Sequence, residues 1–151
     1  MEVVANEEHV AILKKGVEAW NAWRIEAGKA WQKSHYQLPY PWPDLNEAQL
    51  SGLELSGANL NGVRLHYANL SKTNLTGVNL SYSSPYHARF HSAMLRGANL
   101  RGAELGRAEF VQADLTDADL THARANGASF FLGVLVRSKL AETELGGGDI
   151  H

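Results

Sequence analysis

Seven histidines are the side chains of this chain with the widest chemical repertoire, because imidazole binds metals and exchanges protons near neutral pH. Three of them, His66, His87 and His91, fall in one stretch of the sequence. Three tyrosines and an arginine accompany them: Tyr67, Tyr82, Tyr86 and Arg107. We interpret these seven residues as a candidate ligand-binding patch. The alternative interpretation is an ordinary solvated surface.

The sequence predicts neither a metal site nor catalysis. There is no cysteine, and no pair of histidines four residues apart lies on a predicted helix. No GxSxG, phosphate-loop or dinucleotide fingerprint is present. We therefore expect no catalytic residue, no cofactor and no enzymatic activity.

A period of five residues dominates the chain from Leu45 onward. Leu, Phe or Ile occupies 20 of the 22 positions spaced by five between Leu45 and Ile150, and the exceptions are Pro85 and Ala125. Two residues before most of these positions stands a small residue, often alanine, and the two side chains then point the same way in an extended segment. Glycine and polar residues fill the intervals, as turns require. A single unit cannot bury its leucine, but stacked coils can.

These units, among them ANLNG, ANLRG and ADLTD, resemble the pentapeptide-repeat family, whose pattern is A(D/N)LXX. The resemblance covers residues 43–150 and implies a right-handed quadrilateral β-helix with four pentapeptides per coil. The implied fold class is an all-β solenoid of about 5.5 coils, with a β-helix domain over 43–151. Residues 20 apart should then stack.

Stacking by 20 places several residues of different types opposite one another. Phe90, Phe110 and Phe130 fall in one column. Opposite charges face each other in the pairs Asp44 and Arg64, Arg89 and Glu109, Asp117 and Arg137, and Asp119 and Lys139, while Arg124 lies between Glu104 and Glu144. The same spacing puts His66 over Tyr86 and Tyr67 over His87, with no carboxylate in those columns in the next coil.

The first 42 residues differ from the repeats and are expected to cap the first coil. Residues 7–27 have helical apolar spacing, with Asn6 as the N-cap and Gly28 as the stop. The proline-rich segment from Leu38 to Leu45 predicts an extended connector, with Trp42 against the first coil. The helix is similar to those that precede the repeats in some cyanobacterial members of the family.

Pro85 stands where a leucine belongs and has no N–H to donate. We expect the coil to bulge outward over residues 82–87 and to push Tyr82 and Tyr86 into solvent.

The last coil carries apolar residues where earlier coils are polar. Phe131, Leu132, Val134 and Val136 are expected to point outward, and no capping helix is predicted after them, since the tail reads ETELGGGDIH. An exposed apolar patch beside open strand edges predicts an interface. Family members often dimerise through their C-terminal coils, so the resemblance also implies a homodimer joined through this coil.

Composition limits the choice of partners. The net charge of −2 gives no reason to expect nucleic acid or anionic membranes as partners. The N-terminus resembles no signal peptide, and no apolar run approaches about 18 residues, so a cytoplasmic location is expected.

Three functions follow from these features. The leading interpretation is a non-catalytic interaction or scaffold module whose protein partner is unknown, and the alternative is a protein that binds a small ligand or metal through the His/Tyr patch. Some family members inhibit gyrase by mimicking DNA, which on a rod of this length needs on the order of 15 negative charges. Residues 43–150 hold 11 acidic and 9 basic residues, including an arginine band of Arg89, Arg96, Arg101 and Arg107, so mimicry is disfavoured.

Overall fold

The computed structural model describes residues 6–34 and 42–149. Two helices come first, α1 (Glu7–Lys14) and α2 (Val17–Lys33). The remainder is a coil of single-residue parallel β-bridges, each separated from the next by a two-residue turn.

The bridges join residues 20 apart, from Asp44↔Arg64 at one end to Ser129↔Asp149 at the other. The Leu55 N–H donates to the Asn74 carbonyl at 2.8 Å, and the Asn74 N–H donates to the Leu53 carbonyl at 3.0 Å. Five-residue sides and a 20-residue register make each coil four-sided. The predicted quadrilateral stacking is therefore confirmed, over a little more than five coils.

The core is a set of columns running along the rod axis. Leu55, Leu75, Leu95 and Leu115 are all buried, as are the alanines that precede such positions by two. The predicted phenylalanine column is confirmed: the rings of Phe90 and Phe110 stack at 4.7 Å, and those of Phe110 and Phe130 at 4.9 Å. These distances match the usual spacing of neighbouring strands, about 4.8 Å. Identical side chains on successive coils therefore repeat in the same orientation.

The turns direct two residues of every five toward solvent. The second turn residue has a positive φ in every coil, and glycine is only one of its occupants. Tyr67, His87 and Arg107 adopt φ values of 59°, 56° and 56°. Non-glycine residues enter this left-handed region at some cost. Wherever another coil follows, a hydrogen bond from such an N–H to that coil, as from the His87 N–H to the Gly106 carbonyl at 3.0 Å, holds these residues there.

The bulge predicted at Pro85 is wrong. Pro85 is buried, and the bridges Arg64↔Ser84 and Asn69↔Arg89 keep the 20-residue register on either side of it. The proline lacks the N–H that Leu105, one coil later, donates to the Arg124 carbonyl. One missing hydrogen bond does not displace a coil whose other bonds remain. Tyr82 and Tyr86 are exposed because they are turn residues.

The single helix predicted over residues 7–27 is also wrong. The Asn6 cap is confirmed, since its side-chain oxygen accepts from the Glu8 and His9 N–H groups at 3.0 and 3.3 Å. The chain breaks at Gly16, where φ is 114°, a conformation that favours glycine. Gly28 lies inside α2, because an interior glycine costs only about 1 kcal/mol relative to alanine.

Side chains of α2 bond the open backbone of the first coil. The Trp20 indole N–H donates to the Asn59 carbonyl at 2.8 Å, and the Asn59 N–H donates to the side-chain oxygen of Asn21 at 2.8 Å. Arg24 donates to the Asn61 carbonyl at 2.8 Å. Trp20 is completely buried. These groups replace the coil that would otherwise precede the first one.

The proline-rich connector lies largely outside the described residues, which resume at Trp42. The Trp42 ring lies where a Cβ on Gly62 would stand, and the side chain remains 42% exposed.

His9 connects α1 to the start of the rod. Its Nδ1 accepts a hydrogen bond from the Asp44 N–H at 3.0 Å, and its ring lies 4.9 Å from that of Trp23. Burial of the ring lowers the pKa of His9 below its ordinary value of 6.5. The neutral imidazole is therefore the form that fits the folded protein.

Replacing Leu100 with alanine should destabilise the protein by about 2 to 5 kcal/mol, because a mid-rod cavity opens between two coils. Leu140→Ala is the matched control, since Leu140 lies in the same column but is 40% exposed. Its cost in urea unfolding should be clearly smaller. Equal losses for the two variants would contradict the stacked-core description.

The free energy of unfolding should decrease as the pH falls below 6.5, because the unfolded chain takes up a proton on His9 before the folded chain does. Above that pH both states are neutral and the contribution is fully present. His9→Phe should be less stable at pH 7 and should show a shallower loss between about pH 7 and pH 5 in denaturant titrations. Parallel curves for the two proteins would rule out His9 as the source.

Candidate functional site

One corner of the rod gathers most of the residues proposed as a ligand-binding patch. Its turn pairs stack at the 20-residue register, and we call this column of corners the tyrosine edge. The pairs are 46–47, 66–67, 86–87, 106–107, 126–127 and 146–147. Turn residues point away from the core, and the repeat does not restrict their residue type. This edge can therefore carry side chains that serve binding.

Four of the predicted patch residues come together on this edge. The rings of Tyr67 and His87 stack with centroids 5.0 Å apart and planes within 9° of parallel. Tyr86 meets His87 edge-on at 4.5 Å, and His66 lies 6.2 Å from Tyr86. The aromatic surface is thus a continuous cluster over two coils, with Tyr67 52% exposed. Arg107 follows on the same edge, one coil later.

The other two predicted residues lie on different corners. Tyr82 belongs to the preceding corner of its coil, and His91 to the following one. The ring of Tyr82 lies over Gly102, where an added Cβ would come within 2.7 Å of it, and Tyr86 lies over Gly106 in the same way at 2.8 Å. An aromatic residue followed by glycine 20 residues later was therefore the sequence signal for these ring positions.

His91 has a carboxylate partner that stacking by 20 residues does not predict. Its Nε2 contacts the Glu109 carboxylate, although the two residues are 18 and not 20 apart. Spacing of 18 also describes the pairs Arg96 with Asp114 and Arg101 with Asp119, whose charged atoms are 3.1 and 3.6 Å apart. A long turn side chain contacts a carboxylate on the next coil, two positions before the residue that stacks on it. Counting only residues 20 apart missed these contacts.

Most acidic side chains of the rod are held by such pairs. Arg137 binds Asp117 through two hydrogen bonds of 2.6 Å, and this interaction lowers the pKa of Asp117. A hydrogen bond from Thr116 and the nearby Arg96 guanidinium lower the pKa of Asp114. The predicted contacts of Arg124 with Glu104 and Glu144 are present at 3.0 and 3.9 Å, and Asp44 lies 3.8 Å from Arg64.

The arginine band does not form one patch. Its four members lie on different sides of the rod, and Arg96 and Arg101 are paired with carboxylates. Among the seven arginines of residues 44–149, five have a carboxylate within 4.0 Å, and the other two are Arg89 and Arg107. The predicted pair of Arg89 with Glu109 is replaced by the contact of Glu109 with His91.

Surface clefts lie beside the tyrosine edge. A cleft of about 430 Å³ is lined by Glu47, Gln49, Tyr67 and Arg89. A second cleft, of about 600 Å³, has His87, Arg107, Glu109 and Ser129 among its walls. Within residues 6–34 and 42–149, no three His, Asp or Glu side chains are placed to hold a metal ion together. The geometry of the edge suits docking by stacking and charge pairing.

The last coil forms a second candidate region. Phe131, Leu132, Val134 and Val136 are 44%, 57%, 44% and 50% exposed. Leu140, a core residue by sequence position, is also 40% exposed because no coil follows it among the described residues. The apolar surface therefore extends from the side of the rod onto its end. Neither described helix is long and apolar enough to cross a membrane.

Solved structures with the same architecture include several cyanobacterial proteins. The pentapeptide repeat protein Rfr23 from Cyanothece 51142 is 25% identical, with a TM-score of 0.69 over 70% of this chain and 86% of that one. HetL from Nostoc sp. PCC 7120, involved in heterocyst differentiation regulation, is 29% identical, with a TM-score of 0.51 over 72% of this chain and 55% of that one.

A pentapeptide repeat protein of the Arabidopsis thaliana thylakoid lumen is 29% identical, with a TM-score of 0.53 over 67% of this chain and 63% of that one. No curated protein matches the sequence. The family model for pentapeptide repeats matches eight copies, over residues 44–81 and 93–130. Together with the 20-residue register and the leucine columns, this match shows that the chain is a member of the pentapeptide repeat family, whose fold is a right-handed quadrilateral β-helix.

Proposed function

We propose that this protein is a non-catalytic interaction scaffold that assembles end to end as a homodimer through its last coil. The observation that carries the proposal is the difference between the two ends of the rod. Helix side chains bond part of the backbone of the first coil, whereas the last coil, as far as residue 149, leaves both backbone groups and apolar side chains open.

Part of the backbone at the open end of the first coil is bonded by the N-terminal helices and their cap. The carbonyls of Asn59 and Asn61 accept from Trp20 and Arg24, and the Gly57 carbonyl accepts from Asn21 at 3.3 Å. The Asp44 carbonyl also accepts, from the Asn6 N–H at 3.1 Å. A second copy could pair with this end only by displacing both helices.

The last coil has the opposite character. The N–H of Leu115 donates to the Val134 carbonyl at 2.8 Å, but the equivalent N–H of Leu135 has no backbone acceptor among the described residues. The same is true within this part of the chain for the N–H groups of Leu140 and Leu145. Exposed edges of this kind template pairing with another chain.

Apolar side chains next to this edge favour its burial. Fully burying a side chain the size of leucine or phenylalanine stabilises by about 1.5 to 3 kcal/mol. Phe131, Leu132, Val134 and Val136 are each about half exposed, so part of that free energy is still available on association. This free energy of apolar burial adds to that of pairing backbone groups that are hydrated in the monomer.

A second copy of this chain is the partner that fits best. Contact between the two ends of different copies would build an open fibre, and the helices block it at the first coil. Contact between two last coils brings the same patch from each chain together about a two-fold axis, the commonest closed arrangement of soluble oligomers. The rest of each rod then remains available to other proteins.

The charge pattern supports a scaffold over a mimic of DNA. Asp114, Asp117 and Asp119 are each within 4.0 Å of an arginine, as is Glu104. Alternating paired charges do not reproduce the unbroken negative charge of a duplex, about one per 1.7 Å.

Introducing charge into the patch should convert the dimer to a folded monomer. Phe131→Glu with Val134→Glu places two carboxylates in the interface, and sedimentation should show a monomer with an unchanged circular dichroism spectrum. The control is Met94→Glu with Tyr82→Glu, which adds the same charge at exposed positions in mid-rod and should leave the dimer intact. A wild-type protein that is already monomeric at about 100 μM would refute the dimer.

A further inference from the structure

Two guanidinium groups of the rod stand apart from the pattern of ion pairs. Arg89 and Arg107 are exposed and have no carboxylate within 4.0 Å in the described part of the chain. Both lie at the tyrosine edge or next to it, on successive coils. The remaining arginines of the rod form ion pairs with carboxylates of neighbouring coils. The charges of Arg89 and Arg107 are therefore available to a ligand.

Each of these arginines shares a cleft with one ring of the stacked aromatic pair. Arg89 and Tyr67 line the first cleft, and Arg107 and His87 line the second. Because Tyr67 and His87 stack on each other at 5.0 Å, the two clefts meet at a common aromatic surface. The edge therefore offers two cations separated by flat apolar rings.

Guanidinium groups bind carboxylates and phosphates through paired hydrogen bonds, and aromatic faces bind apolar or planar groups. Coils rise by about 4.8 Å, whereas alternate side chains of an extended peptide are about 6.6 Å apart along the strand. An extended segment that crosses the edge obliquely can therefore contact both arginines with two side chains from the same face.

Nearby acids restrict which anion fits. Glu47 lines the cleft of Arg89, and Glu109 lines the cleft of Arg107. A dense polyanion would place negative charge against both carboxylates. A ligand with two separated charges avoids them, so the arrangement favours sparse carboxylates on a peptide over a nucleic acid backbone.

We propose that the tyrosine edge binds an acidic, extended segment of a partner protein. Two of its carboxylates pair with Arg89 and Arg107, and the peptide backbone between them lies against Tyr67 and His87. This inference names a class of partner for the scaffold proposed above. It does not depend on the homodimer, because the edge residues it uses lie on coils before the last one.

The test uses a fluorescein-labelled, serine-rich peptide of 12 residues with two glutamates separated by one serine at its centre, and the glutamine version as its control, at about 150 mM salt. Fluorescence anisotropy should show binding of the glutamate peptide to the full-length protein. Arg89→Gln with Arg107→Gln should weaken that binding by about tenfold or more. Arg96→Gln with Arg101→Gln removes the same charge from paired arginines and should change the affinity by less than about twofold.

Three results would overturn the proposal. One is an equal loss in the two double variants, which would mean that net charge alone attracts the peptide. Another is no binding to the wild type at about 1 mM protein. The third is a 12-nucleotide single-stranded DNA that binds the same edge more tightly than the peptide does. The Phe131→Glu, Val134→Glu variant should bind the peptide as the wild type does, so failure of the dimer and failure of this site are separately visible.

Discussion

The hydrogen bonds that hold neighbouring coils in a 20-residue register determine the position of all other groups in the rod. Each coil donates from its leucine N–H to the coil that follows and accepts through the carbonyl of the residue two positions earlier, as Leu53, Leu55 and Asn74 illustrate. With five residues per side, the same register returns leucine to leucine and turn to turn. The core columns, the phenylalanine stack and the exposed corner columns are consequences of that one constraint. Pro85 shows its strength, since the coil keeps its register although one donor is missing.

A stack of identical coils has two unequal ends, and this chain treats them differently. At the start, α2 replaces a missing coil with Trp20, Asn21 and Arg24, which bond backbone groups that a preceding coil would have bonded. At the finish, the described residues continue the repeat to Asp149 without such a replacement. The core positions Leu135 and Leu145 accordingly change from buried to half-buried. Interior coils differ from both, because each is bonded to a neighbouring coil on either side.

Function on such a scaffold resides where individual residues depart from the repeat. Corner positions tolerate many side chains, so the tyrosine edge can gather Tyr67, Tyr86 and His87 without disturbing the core. Most charged side chains of the rod form ion pairs with a neighbouring coil. Arg89 and Arg107 differ from the other arginines only in having no carboxylate nearby among the described residues. The glycine at position 106 matters for the same reason: it leaves room for the ring of Tyr86 one coil earlier.

The four sides and the columns of residues 20 apart came from the resemblance to the pentapeptide-repeat family. The amino-acid sequence alone determined the coil, its inward-facing leucines and the helix cap at Asn6. These features depend on periodicity and on local hydrogen bonding, both of which can be read from residue types. The break at Gly16, the undisturbed Pro85 and the contact of His91 with Glu109 were decided by the tertiary structure. Each depends on how far a side chain reaches, or on how firmly neighbouring coils hold a segment. A five-residue pattern fixes the Cα position of each side chain but not the position of its terminal group. The partners of long turn residues are therefore known only from the stacked structure.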